Sequence, residues 1–346
     1  MAVYVLLMAF LILNRALIPG SSAKSRRNFL ILSSIPIILV MGLRNCTIGG
    51  NDPVGYYYHF LSAVGTPLPE LLSSSRMEPG YIVFVKLLTL ISSSPLTLFL
   101  AEAAICVFGV CLFIYRNSEQ PFLSLFFYVT LGEFAFEMMG FRQSIAMSIC
   151  LVGLEFVKKK KPIPFLLTVA LAACFHISAI VFLPVYFLAY RKLSAVNLLL
   201  TLYVIPAVIL LNHQITDVAN GVFSSNYGTG ANTGGAVVIA VYLITFGAAF
   251  VNQKEVFSHR ENLACFNLLA LGLITYLFRY WTMASERISF YFFFGLLILL
   301  PASIKAVPDE KTRRLAACAA VLLAAGLFYY RLTYQPISPY LFFWEQ

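Results

Sequence analysis

Charge is what this chain has least of. Asp, Glu, Lys and Arg together supply 11% of its 346 residues, against about a quarter in soluble domains. A chain this poor in charge cannot hydrate its own surface, which excludes a soluble globular or disordered protein. Short alternating strands are missing as well, which excludes a porin-like barrel. There is no Cys-x-x-Cys, no His-Glu-x-x-His and no histidine beside an acidic pair, so metal chemistry has no motif to rest on. Of the seven cysteines only Cys46 stands in a polar loop, so no disulfide framework is expected. Walker and dinucleotide glycine patterns are missing, which argues against an ATP-driven pump and calls for no cofactor. No internal repeat or low-complexity segment occurs. The first apolar run, 2–18, has neither a basic leading region nor a small-residue cleavage site, and is expected to stay as a span.

What is present is apolar. Sixty per cent of the residues are hydrophobic and the mean hydropathy is +0.84. Runs near the roughly 20 residues that cross a bilayer recur along the chain. They predict an all-α polytopic membrane protein, a single integral domain over 1–346. About twelve candidate spans emerge: 2–18, 28–43, 96–115, 121–138, 141–157, 163–175, 177–190, 195–211, 236–251, 262–278, 288–304 and 315–330. The net charge of +9 would suggest nucleic acid for a soluble protein. Here SSAKSRR, KKKKP, the Arg191–Lys192 pair and KAVPDEKTRR account for it as cytoplasmic loops, so the partner is the lipid bilayer and no nucleic acid is expected. Both termini then lie outside, with two outer loops, 44–95 and 212–235.

The charge rule also sorts the doubtful runs. Residues 80–91 would reach only about 18 Å as a helix, against roughly 30 Å of hydrocarbon. They are expected to form an interfacial helix of the outer loop. Residues 163–190 are too long for one span, yet have cationic loops on both sides. A hairpin of two short legs, with His176 near a sunken outer tip, satisfies both constraints.

The outer face then holds Arg44, Arg76, Arg142, Arg279, Arg287 and Arg331, and a single lysine, Lys86. Topology does not ask for that bias, whereas arginine's planar fork binds phosphate or carboxylate oxygens in pairs. Arg142 in MMGFRQSIAMS and Arg287 in ASERISFYF open inward-running helices, where free N–H groups favour an anion. Arg44 closes the second span and Arg279 the tenth. These four are the candidate diphosphate-binding residues; the alternative is that each pairs with an acid (Glu133, Glu137, Glu286) or anchors at the headgroups. Asp52 and Glu78 share the first outer loop with Tyr56, Tyr57, Tyr58 and His59. Carboxylates beside aromatic faces suit a sugar, so Tyr56, Tyr57 and His59 are candidate sugar contacts. Against this, Asp52 before Pro53 also reads as an ordinary helix N-cap, Glu78 before Pro79 as turn chemistry, and the tyrosines as an interfacial belt. His176, an imidazole in an apolar setting, is a candidate acid–base group. The catalytic candidates are therefore Asp52, His176 and Glu78.

Taken in order, GLRN, GGND, YYYHF, EPGY, GFRQSIAMS with its lysine-rich loop, CFHISAI and ERISFYF resemble the EpsG/Wzy-like family of bacterial polysaccharide polymerases over about 40–300. The resemblance implies a GT-C-like membrane glycosyltransferase, independent of metal, in the bacterial cytoplasmic membrane with its active face outward. It implies undecaprenyl-diphosphate-linked oligosaccharides as donor and acceptor, and a flippase and a chain-length regulator as companions. By position, Arg44, Asp52, Glu78, Arg142, His176 and Arg287 match its motif residues; Arg279 and the tyrosines rest on the reading of the residues. A lipid-linked-oligosaccharide flippase, an O-acyltransferase and an O-antigen ligase are the competing readings. The first would more naturally show repeats and broken mid-membrane helices. The second needs a donor site on the cytoplasmic face, where mainly topogenic Lys and Arg stand. The ligase shares the chemistry.

Overall fold

The computed structural model describes residues 1–191, 235–280 and 283–345. The candidate span 195–211, Lys192 and residues 212–234 of the second outer loop lie outside the described residues. Among the described residues the named elements are all helical, and strand-like pairing is limited to one isolated antiparallel bridge, Arg44 with Phe342.

The helices fall where the apolar runs are. The first half of the chain reads α1 Ala2–Leu17, α2 Ala23–Gly42, α3 Asn51–Ala63, α4 Leu68–Ser74, α5 Pro79–Thr89, α6 Leu96–Asn117, α7 Pro121–Leu131, α8 Glu133–Glu137, α9 Phe141–Lys158 and α10 Pro162–Phe175. A 3₁₀ turn, Ile177–Phe182, and α11 Val185–Leu188 follow. Beyond residue 234 come α12 Ala236–Val251, α13 Gln253–Val256, α14 Arg260–Leu277, α15 Met283–Phe293, α16 Leu296–Lys305 and α17 Glu310–Leu332. Two of these, α6 and α17, are long and apolar enough to cross a membrane alone, and α15 with α16, bent by 47°, make a third candidate. Shorter apolar helices of 10–17 residues include α1, α7, α10 and α12. Several breaks have visible causes: Gly132 between α7 and α8 has φ 139°, and Pro162 opens α10. Leu6, Leu13, Ile31, Ile35, Leu315, Leu322 and Leu323 are exposed. Such apolar rows on α1, α2 and α17 suit lipid as the surrounding solvent.

The chain, expected as one domain, divides into two compact units, Met1–Ile180 with Pro308–Gln346 and Val181–Val307. In the first, α6 packs on α2 and α9, and α10 packs on α9. The segment 44–95 is folded onto this bundle as three short helices. Tyr56, Phe60 and Ala63 of α3, Leu71 of α4, and Tyr81, Ile82, Val85 and Leu88 of α5 form one core with Leu98, Phe99 and Phe141. Leu87 on the other side of α5 stays exposed, as does Leu90 just after it, so within the run 80–91 the chain forms one short helix with a buried and an exposed side, Pro79–Thr89. The one lysine assigned to the outer face, Lys86, donates to the Ala63 carbonyl (3.1 Å) near the end of α3. In the second unit α14 packs on α15 and α12 on α16. Asn267 ties α14 to the carbonyls of Leu188, Ala189 and Arg191 at 2.8–2.9 Å.

At Gly80 the start of α5 lies against the end of α10, where an added Cβ would stand 2.6 Å from the Cys174 carbonyl oxygen. Backbone on both sides leaves nothing to yield. Gly55, on α3, has nothing within 4 Å of its added Cβ. Gly80→Ala is therefore expected to destabilise the detergent-solubilised protein by about 1–3 kcal/mol. Gly55→Ala should stabilise it by up to about 1 kcal/mol. Thermal midpoints of the two variants, which should move in opposite directions, check this.

Candidate functional site

The site forms where α3, α5, α9 and the end of α10 meet. Glu78 stands at the N-cap position of α5, yet its carboxylate makes no capping bond. One oxygen, Oε2, takes the Arg142 guanidinium in a salt bridge. The other, Oε1, accepts from the Ile177 backbone N–H (3.2 Å) and lies 3.7 Å from Nδ1 of His176. The turn reading of Glu78 thus explains its backbone, and its side chain is spent elsewhere. His176 has extended backbone (φ −154°, ψ 119°) just after α10, at the break expected for a hairpin tip. The second leg is a 3₁₀ turn and a four-residue helix in place of a regular span. The Ser178 hydroxyl lies 3.0 Å from the same Nδ1 and helps fix the ring. The side chains of Arg142, Glu78 and His176 are 25%, 16% and 14% exposed. The Nε of Arg142 is buried without a hydrogen-bond partner.

The three tyrosines point three ways, as successive helical residues must at about 100° apart. Tyr56 is buried, stacked on Phe141 at 4.8 Å, with the Arg142 guanidinium 6.0 Å from its ring. Tyr57 is half-buried and Tyr58 exposed. His59 lies one turn on from Tyr56 and stacks on Tyr81 (6.2 Å, 22°). Its Nε2 and the Tyr81 hydroxyl are both buried without a partner. Burial, and then the positive charge of Arg142, push the His59 pKa below its ordinary 6.5.

Asp52 is not an N-cap. Gly49 and Gly50 turn with φ of 106° and 83°, and Gly50 caps α3, which starts at Asn51, two residues earlier than the Asp-Pro pair suggested. Asp52 falls in the first turn, half-buried, where a carboxylate complements the positive end of the helix. A Cβ on Gly49 would come within 2.7 Å of the Met138 carbonyl oxygen. Both the turn and the close approach therefore demand glycine.

Arg44 is fully buried. Its guanidinium donates to the carbonyls of Met41 and Met138, the latter at 2.7 Å, and lies 5.0 Å from the rings of both Phe99 and Phe141. In the other unit Arg279 is buried against Tyr276 and pairs with Glu286 (3.2 Å), as the acid-pairing alternative supposed. Arg287 beside it is exposed. The structure thus brings together Glu78, Arg142, His176, Tyr56 and His59 in one unit, and Arg279 with Glu286 in the other. Among the described residues no group of three or more His, Cys, Asp or Glu side chains is placed to hold a metal ion.

The model of the EpsG family matches residues 27–342. The chain belongs to the EpsG family. The match extends well beyond the motif-bearing stretch, into the C-terminal segment. No curated protein and no solved structure matches the chain. EpsG membership points to a membrane protein of polysaccharide polymerisation with glycosyltransferase-like chemistry.

Sequence reasoning missed two supporting residues of this EpsG site. Ser178 was legible in principle, since His-x-Ser places a hydroxyl beside the preceding ring. Tyr81 in EPGY carried no signal beyond its aromaticity. His59 also yields a pH prediction. Its folded pKa is lowered, so the unfolded chain binds more protons, and its contribution to stability is fully present above 6.5. That contribution is lost as pH falls from 6.5 through the folded pKa. Thermal midpoints measured from pH 7.5 down to 5 should fall less steeply in His59→Gln than in the parent.

Proposed function

We propose that this EpsG protein is a repeat-unit polymerase. It joins an undecaprenyl-diphosphate-linked glycan to an undecaprenyl-diphosphate-linked repeat unit on the outer face of the bacterial cytoplasmic membrane. In this reading the chain has about twelve spans, some short, and a GT-C-like arrangement. A flippase supplies its substrates, a chain-length regulator acts beside it, and no metal takes part. The observation that carries the reading is the Glu78–Arg142–His176 cluster. A half-buried arginine at the N-terminus of α9 is held in register with a carboxylate and an imidazole.

The reaction asks little more of the protein. The anomeric C–O bond to the donor's diphosphate breaks, and the acceptor hydroxyl oxygen bonds to that carbon. The hydroxyl proton passes to a base, and undecaprenyl diphosphate leaves with the electron pair. Arg142 stabilises the charge that grows on the departing diphosphate, as does the dipole of α9. In the second unit, Arg279 and Arg287 are the candidate anion-binding residues. Arg44, its guanidinium packed beside the touching rings of Phe99 and Phe141 and its terminal nitrogens on carbonyls, serves better as scaffold than as ligand. Glu78 orients Arg142 and His176. Asp52 or His176 takes the proton, and the half-buried Tyr57 and His59 present rings to the sugars, while Tyr56, buried against Phe141, supports them from the core.

Purified protein supplied with a defined lipid-linked repeat should produce a ladder of polymer. Arg142→Ala, His176→Ala and Asp52→Ala should stay in the membrane and lose long products by about 100-fold or more. Arg142→Lys should not restore them, because a point charge cannot replace the fork. Full ladders from all three alanine variants would sink the assignment. A single transfer of finished polymer to another lipid would indicate a ligase.

A further inference from the structure

The C-terminal segment is tied to the loop that delivers α3. The Phe343 N–H donates to the Leu43 carbonyl (2.7 Å), the Asn45 N–H to Leu341 (2.9 Å) and the Gly49 N–H to Pro336 (2.9 Å). The Asn45 side-chain amide donates to the Glu345 carbonyl. The Tyr340 hydroxyl donates to the Val40 carbonyl (2.9 Å) and the Tyr4 hydroxyl to that of Ile337 (2.6 Å). Residues 336–345 therefore form a strap along 40–49, ending where the Gly49–Gly50 turn opens α3.

The strap carries one aromatic ring to a particular place. Phe343 lies 6.2 Å from Phe99, whose ring packs against Phe141, and 6.4 Å from Tyr57 (49°). Phe343 and Tyr57 are both half-buried. Trp344 is 66% exposed and stacks on Phe342, and Tyr334 is 75% exposed. Two separate segments thus build one half-buried aromatic corner, and the stretch leading from the strap pairing to α3 carries the polar residues Asn45, Thr47 and Asp52.

We propose that Phe343 and Tyr57 form the aromatic wall of the acceptor subsite, against which a sugar ring of the acceptor glycan stacks, and that the C-terminal strap fixes this wall relative to Asp52. The assignment rests on the polymerase reading for which substrate the glycan belongs to, and on the strap geometry for where it binds.

The test uses the full-length protein and measures acceptor and donor kinetics separately. Phe343→Ala and Tyr57→Ala should each raise the acceptor KM about tenfold, in the range that loss of one stacked ring gives. Donor KM and kcat should stay within about twofold of the parent. Phe343→Tyr should retain the parental acceptor KM, and Tyr334→Ala should change nothing. An unchanged acceptor KM in Phe343→Ala would overturn the proposal. So would an equal rise in both KM values, or an equal loss in Tyr334→Ala, which would mark the aromatics as membrane contacts. Should the parent form no polymer, the polymerase reading fails by itself. Binding of the free repeat-unit oligosaccharide, followed by saturation-transfer NMR, then decides the subsite: signal in the parent lost in Phe343→Ala supports it, and signal in both, or in neither, overturns it.

Discussion

One carboxylate holds the site together. Glu78 divides its two oxygens among a guanidinium, a backbone N–H and an imidazole, which belong to α9, the 3₁₀ turn and the end of α10. Its own backbone begins α5, so the pairing adds a polar anchor to the apolar core that holds the helices of 44–95 on the bundle. The Gly80 approach to Cys174 is the steric condition for that reach. Glutamate is not a favoured N-cap, so α5 loses little by committing the Glu78 carboxylate to a charge-assisted bond with Arg142 worth about 1.5–3 kcal/mol.

Arg44 and Arg142 show how far environment separates two residues of the same type. Both close or open a helix beside Phe141, and both were candidates for the same ligand. Arg142 faces a carboxylate and keeps a quarter of its side chain exposed. Arg44 is fully buried beside the touching rings of Phe99 and Phe141, and its terminal nitrogens end on carbonyls of α2 and of the stretch after α8. A guanidinium is well suited to such a place because it stacks as a plane while donating in-plane. From there it stabilises the junction of loop, bundle and strap, the last through the bridge between Arg44 and Phe342.

Most helices could be read from the sequence because apolar run length and Pro or Gly punctuation are local signals. The bounds of α1, α6, α9, α10 and α12 differ little from the runs that announced them. The break at His176 was legible because cationic loops on both sides forbade a single span. What could not be read is long-range. Asp52 looked like a cap because Asp-Pro is a strong local pattern, and the twin-glycine turn that shifts the helix start is shaped by contact with Met138, far along the chain. Glu78 looked like a turn residue because nothing near it in sequence announces Arg142. SPYLFFWEQ carried no motif, and its place beside Leu43–Gly49 depends on backbone pairing, to which side-chain patterns are blind.

The arginines in both units share an economy. Arg142 is neutralised by Glu78, and Arg279 by Glu286. An uncompensated guanidinium at partial burial would cost several kcal/mol, so a resting partner is required before any substrate arrives. On the polymerase reading, a diphosphate reaching Arg142 competes with that partner, and the arginine yields only the difference between two anions in the ground state. Charge that accumulates on the diphosphate as the glycosidic bond breaks meets no such competition. On that reading the arrangement would hold the donor loosely and its transition state more tightly, the balance that a catalyst releasing a diphosphate at every cycle needs.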